Sequence, residues 1–212
     1  MSVPPIEEFP EVVRKRGPAT FDLVTLFDRR RQESPGGHIQ DEHGTGDRFH
    51  VVMSLRALRP GLYQRLLSWE TRLWRGRIVG QVPLFPYKRQ GGSAGLGTVD
   101  GSDQDTRELK TKGWASSSLV FADGDFFTIT DTHELCHVDG DVESDSDGAA
   151  TIKLHRPLRR PPPDEAGLEI ELPYLLVLAD NDTDLGYQFT PPRRAALTRT
   201  YLEHIHWEAD DD

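Results

Sequence analysis

His133-Glu134-Leu135-Cys136-His137 spells H-E-x-x-H, the pattern in which one helix face aims two imidazoles at a zinc ion and the Glu serves as general base. Gly140 and Glu143 extend it towards the longer version, which adds a third ligand after a glycine turn. The chemistry requires His133 and His137 on one helical face, and the flanks argue against a helix. Upstream stand Asp123-Gly124-Asp125 and Phe126-Phe127-Thr128-Ile129-Thr130, a turn followed by β-favouring residues. Downstream, Val138-Asp139-Gly140-Asp141-Val142 puts Gly and Asp where a helix would continue. In a strand, residues i and i+4 lie roughly 13 Å apart at about 3.3 Å per residue. Two imidazoles so placed cannot both reach one zinc at about 2.0–2.1 Å. An extended chain over 126–142 is therefore expected, with no metal site. The alternative is a zinc-dependent hydrolase using His133, Glu134 and His137.

Other candidate chemistry is weaker. Glu143-Ser144-Asp145-Ser146-Asp147-Gly148 imitates the start of a calcium loop, but that loop needs Asp first and a bidentate Glu twelfth. Here those positions hold Glu143 and Leu154, so a tight turn between strands is the better reading. Gly95-Leu96-Gly97-Thr98-Val99-Asp100-Gly101 has its third glycine one residue late for a dinucleotide fingerprint and lacks the strand–helix context. Cys136 has only His137 beside it, and adjacent strand residues face opposite ways. No catalytic residue and no cofactor are expected.

The charge balance narrows the partners. The chain has 35 acidic against 25 basic side chains in 212 residues, a net charge of −10, which argues against a sequence-independent nucleic-acid binder because phosphate contact needs a basic face; no specific nucleic-acid partner is expected. The basic clusters Arg14-Lys15-Arg16, Arg29-Arg30-Arg31 and Arg193-Arg194 are short and offset by nearby acids. A single cysteine, Cys136, excludes an intrachain disulfide. No apolar run approaches the roughly 20 residues that cross a bilayer, and Met1 to Glu8 lacks the basic start and apolar stretch of a signal peptide. A soluble protein made in a cytoplasm, with no membrane partner, is expected.

The elements that would position these residues are mostly strands. Glycines and prolines number 19 and 15, too many breakers for a helical protein and ordinary for short strands and turns. Residues 20–27 and 48–55 read as strands, the first with Phe21, Leu23 and Thr25 on one face, and the polar, Gly-rich stretch 32–47 between them as a hairpin tip. Leu62, Leu66, Trp69 and Leu73 recur at helical spacing after Pro60-Gly61, flanked by Tyr63 and Trp74, with Gly76 as a stop. Residues 77–85 return to β. Residues 90–101 form a flexible Gly-rich connection. Short strands are expected at 106–112, 116–121, 125–130, 134–142, 149–155 and 167–172, closed by turns such as Ala122-Asp123-Gly124-Asp125, a spacing that suggests a small barrel or sandwich. Arg160-Pro161-Pro162-Pro163-Asp164 marks an exposed loop or boundary. The stretch 172–190 is apolar at first and turns at Asp180-Asn181-Asp182; a terminal strand over 194–207 and a frayed Asp210-Asp211-Asp212 tail complete the chain.

The order of these features resembles the distal tail proteins and related minor tail proteins of long-tailed bacteriophages. The resemblance lies in Gly113-Trp114, then Ala122-Asp123-Gly124-Asp125-Phe126-Phe127. It continues through Asp141 to Ile152, with its acidic turn Asp145-Ser146-Asp147-Gly148-Ala149-Ala150, and into Arg156-Pro157-Leu158-Arg159. The helix from Tyr63 to Trp74 followed by Gly76-Arg77 resembles their first domain. The resemblance implies a mainly β fold: a tail-tube-like β-sandwich with one helix, made by residues 1–88 and completed by 175–212, with an OB-like small β-barrel inserted over 89–174. It implies a structural virion protein forming a ring, commonly a hexamer, at the distal end of the tail tube. That ring links the tube to the tail tip or baseplate hub and is assembled in the host cytoplasm. The implied partners are further copies of itself, the tail tube protein, the tail hub or tip protein and the tape measure protein. A carbohydrate- or protein-binding module is a further alternative to the hydrolase.

Overall fold

The structure, a computed structural model, describes residues 4–14, 17–26, 29–33, 39–43, 48–92, 95–179 and 195–204. The expected turn at 180–182, the Arg193-Arg194 pair and the 210–212 tail lie outside them. The protein is mainly β with one long helix. The chain divides into two compact units, one comprising Met1–Gly80 with Val177–Ile205, the other built on Gln81–Leu176.

The first unit runs β1 (Ile6–Glu8), α1 (Glu11–Arg14), β2 (Pro18–Leu26), β3 (Arg29–Glu33), β4 (Ile39–His43), β5 (Arg48–Leu58), α2 (Pro60–Trp74) and into β6 (Val79–Pro83). The second carries β7 (Thr98–Val99), β8 (Glu108–Lys112), β9 (Leu119–Phe121), β10 (Phe126–Ile129), β11 (Glu134–His137), β12 (Val142–Glu143), β13 (Ala150–Lys153) and β14 (Leu168–Glu169). Strand β15 (Tyr174–Ala179) then leads back towards β16 (Ala195–Glu203).

Strand β5 alternates cleanly: Phe49, Val51, Met53 and Leu55 are buried while His50, Val52 and Ser54 are half-buried, the period-two signature of a sheet with one covered face. It lies between β16 and β2 in a six-stranded sheet of order β1-β6-β15-β16-β5-β2. Phe21, Leu23 and Thr25 of β2 are half-buried and stand opposite Met53, Val51 and Phe49, on the covered face. Where a polar loop was expected over 32–47, β3 pairs antiparallel with β4, Arg29 opposite His43 through Glu33 opposite Ile39. Backbone pairing needs no apolar side chains, so composition concealed it.

Helix α2 begins at Pro60, whose ring needs no N–H partner in the first turn. Preceding it, Arg59 is extended and its carbonyl accepts from the Leu62 and Tyr63 amides. The buried stripe is Tyr63, Leu66, Trp69, Glu70 and Leu73. Leu66, Trp69 and Leu73 hold the expected face; Leu62 is only half-buried and Trp74 is exposed, while Tyr63 and Glu70 widen the stripe to one side. Its end is a Schellman turn, with Arg77 N bonded to Arg72 O, Gly76 N to Leu73 O and Gly76 at φ +63°. Trp69 meets Phe9 and Tyr201 edge-on, with ring centroids 5.4 and 5.9 Å apart. Beneath it lies Gly80, where an added Cβ would stand 2.5 Å from the indole. Glu70, buried on the same face, is answered by Arg199 Nε at 2.7 Å and the Tyr201 hydroxyl at 2.9 Å, both donating to Oε1.

In the second unit β11-β10-β14, β12-β9 and β13-β8-β7 form three small sheets, the first and third linked by single bridges between Thr98 and Gly167 and between Val138 and Leu154. They surround one apolar cluster that includes Val99, Leu109, Trp114, Phe121, Phe127 and Ile152. Trp114 is closely held: its indole N–H donates to Thr111 Oγ1 at 2.8 Å, Gly97 is small enough to lie against the indole, and Gly148 against the Trp114 backbone carbonyl. Part of the Gly-rich 90–101 stretch thus serves close packing around a tryptophan.

The expected boundaries were 88/89 and 174/175, whereas the units change at Gly80/Gln81 and Leu176/Val177. Residues 81–88 join the second unit through backbone and hydroxyl bonds: Leu84 N donates to Pro173 O, and Tyr87 Oη donates to Phe126 O. Nor does the connection start loosely. The buried Asp125 carboxylate accepts the Gln90, Gly91 and Ala122 amides, each at 2.9 Å.

Candidate functional site

The H-E-x-x-H residues fall on a β-hairpin. β10 and β11 pair antiparallel, Phe126 opposite His137 through Ile129 opposite Glu134, and turn residues 130–133 join them. The turn closes on His133 in the left-handed region at φ +53°, and Glu134–His137 is extended. No helix presents the pair.

Each side chain of the motif has its own neighbours. His133 Nδ1 and the Tyr174 hydroxyl share a hydrogen bond at 2.7 Å, and burial pushes that phenol up to about 12, so it keeps its proton. Glu134 is buried. Its carboxylate accepts the Arg159 amide at 3.1–3.2 Å and lies 4.0 Å from Arg156 Nη2, which itself donates to Leu135 O. A carboxylate occupied with the 156–159 backbone turn is poorly placed to take a proton from water. His137 stacks flat on its cross-strand partner Phe126, centroids 4.3 Å apart and planes within 6°, and its other face meets His155 at 4.1 Å. Burial, followed by the nearby His155 charge, lowers His137 from 6.5 to about 4. The two imidazoles of the motif are committed to different neighbours.

A different set converges. Asp123, Asp139 and His155 each offer one ligand atom, and these atoms lie within 4.8 Å of one another on the exposed surface. Two Asp-Gly-Asp turns build the site by reciprocal bonding. Asp123 Oδ1 accepts the Gly140 amide and Asp141 Oδ1 accepts the Asp123 amide, both at 2.8 Å. His155 is delivered by the exit of β13: Asp139 N donates to Lys153 O and His155 N to His137 O. Asp-Gly-Asp was legible as turn chemistry, and its recurrence at 123–125 and 139–141 was the available signal. Nothing in the sequence marked His155 as their neighbour.

The calcium-loop lookalike is a backbone turn. Asp145 Oδ1 accepts the Asp147 and Ala149 amides at 2.9 Å, leaving that oxygen engaged by its own loop. Cys136 is buried, with Sγ directed at Glu134 O.

Fold and side chains together define a mainly β protein of two units with a histidine–aspartate surface cluster on the second. Comparison with protein-family models and with curated proteins found no match.

Proposed function

We propose that this chain is a structural component of a long-tailed bacteriophage tail, forming a ring at the distal end of the tail tube and joining it to the tail tip or baseplate hub. The observation that carries the reading is topological. The late strands β15 and β16 lie between β6 and β5 in the sheet begun by the N-terminal strands, so residues 81–176 are an insertion within the first unit. The motif order from Gly113-Trp114 to Arg156-Pro157-Leu158-Arg159 falls within that insertion, as it does in the family the sequence resembles. In this reading the first unit is the tube-like element and the second a small OB-like barrel.

Its work is assembly rather than turnover. The described sheet ends in β1 and β2, edges whose backbone groups are suited to pairing with a neighbouring copy. A net charge of −10 suits a lumen through which DNA passes without adhering, since like charges repel. In this reading its partners are further copies of itself within the ring and the tube, hub or tip and tape measure proteins at the ring faces.

Native mass spectrometry and electron microscopy of the purified chain, alone and with the tube and hub proteins, test the reading. A closed ring, commonly of six copies, is expected. A chain that stays monomeric with every tail partner sinks it.

A further inference from the structure

We propose that Asp123, Asp139 and His155 form a divalent transition-metal site that clamps three segments of the second unit. The inference stands apart from the assembly reading. Its ligand set is mixed, and that decides the class of ion. Two carboxylates and one imidazole suit Zn²⁺ and its first-row neighbours, whereas Ca²⁺ and Mg²⁺ prefer all-oxygen shells. Two carboxylates also balance the charge of a divalent ion.

Three features of the geometry support the site. The ligands come from separate segments, the 122–125 turn, the 138–141 turn and the exit of β13, yet their ligand atoms lie within 4.8 Å. Among the described residues, neither the Asp139 carboxylate nor the His155 ring makes a hydrogen bond or ion pair. Two carboxylates held close repel, and a divalent ion between them turns that repulsion into attraction. Finally, His155 does not swing freely: its ring lies against His137, itself stacked on Phe126, and its backbone N–H is tied to His137 O. Fixing a ligand's ring plane before the ion arrives is what outer-shell contacts do in metal sites. Exposure leaves the remaining coordination positions to water, as in three-ligand zinc sites.

The test uses the full chain without an affinity tag, stripped with EDTA and dialysed. Titration calorimetry with Zn²⁺ and the visible spectrum with Co²⁺ are read for wild type, Asp139→Asn, His155→Ala and His133→Ala. One equivalent of Zn²⁺ is expected, with ligand-field bands from Co²⁺. Affinity should fall by at least the roughly 10–100-fold that loss of an outer-shell partner costs in Asp139→Asn and His155→Ala. Both residues are exposed, so circular dichroism should show these variants folded. His133→Ala should bind like wild type. Absence of Zn²⁺ binding at 100-fold excess over about micromolar protein overturns the proposal, as does binding that survives both ligand variants or is lost in His133→Ala.

Discussion

His137 shows how a neighbour's identity sets a residue's chemistry. Facing Phe126 on one side and His155 on the other, with Asp123, Asp139 and Arg156 around it, it is held neutral. Its proton affinity drops from 6.5 to about 4, first through burial and then through the His155 charge. Well above pH 6.5 the folded and unfolded chains both carry it neutral, and it places no pH dependence on stability. As pH falls from 6.5 towards 4, the unfolded chain takes up a proton that the folded chain refuses, and stability declines across that window. Urea unfolding in EDTA at pH 7 and pH 4.5 should show a larger fall in midpoint for wild type than for His137→Phe, which retains a ring against Phe126. Equal falls in the two proteins would show that His137 is not the group responsible. Asp125 is a buried carboxylate that accepts three backbone amides. It ties residues 90 and 91 to a turn more than thirty positions later.

Helix α2 and its sheet fit through size as much as through polarity. Trp69 lies over Gly80 because no side chain intervenes, and Phe9 and Tyr201 close around the indole. Gly80→Ala should cost about 1–3 kcal/mol, the usual penalty of overpacking a filled core, read as a lower urea midpoint with an unchanged slope. A neutral effect would mean that the helix moves aside freely. On the same helix face, Glu70 and Arg199 are both buried. Such a pair is weak evidence for stability, because desolvation of two charges offsets much of their attraction. It does, however, penalise any register of α2 against β16 that leaves either charge alone. The β10–β11 hairpin makes a related point: its register puts His137 opposite Phe126, and that pairing creates the stack.

At the scale of the whole molecule, an acidic chain that assembles with itself must overcome its own repulsion. With a net charge of −10, copies approach one another more easily when salt screens them, the screening length shrinking from about 30 Å at 0.01 M to about 10 Å at 0.1 M. Self-association should therefore strengthen between these two ionic strengths, as read by sedimentation velocity. An association that weakens with salt would indicate an interface built on opposite charges rather than on strand edges and apolar contacts.

Much of the architecture was legible because local pattern and burial agree. The period-two run in β5, the helical spacing of Leu66, Trp69 and Leu73, and the turn chemistry at 122–125 and 145–148 each follow from steric and hydrogen-bonding preferences of neighbouring residues. Extended chain around Glu134–His137 was legible for the same reason, since its flanks favour turn and strand. What the chain alone could not reveal depends on contacts between distant residues. The β3–β4 pairing, the exact face of α2, the attachment of 81–88 to the second unit and the meeting of Asp123, Asp139 and His155 are of this kind. Local preference specifies each segment's conformation. Which segments become neighbours is decided only when the apolar faces are buried together, and that collapse placed His155 beside two aspartates that precede it by 32 and 16 residues.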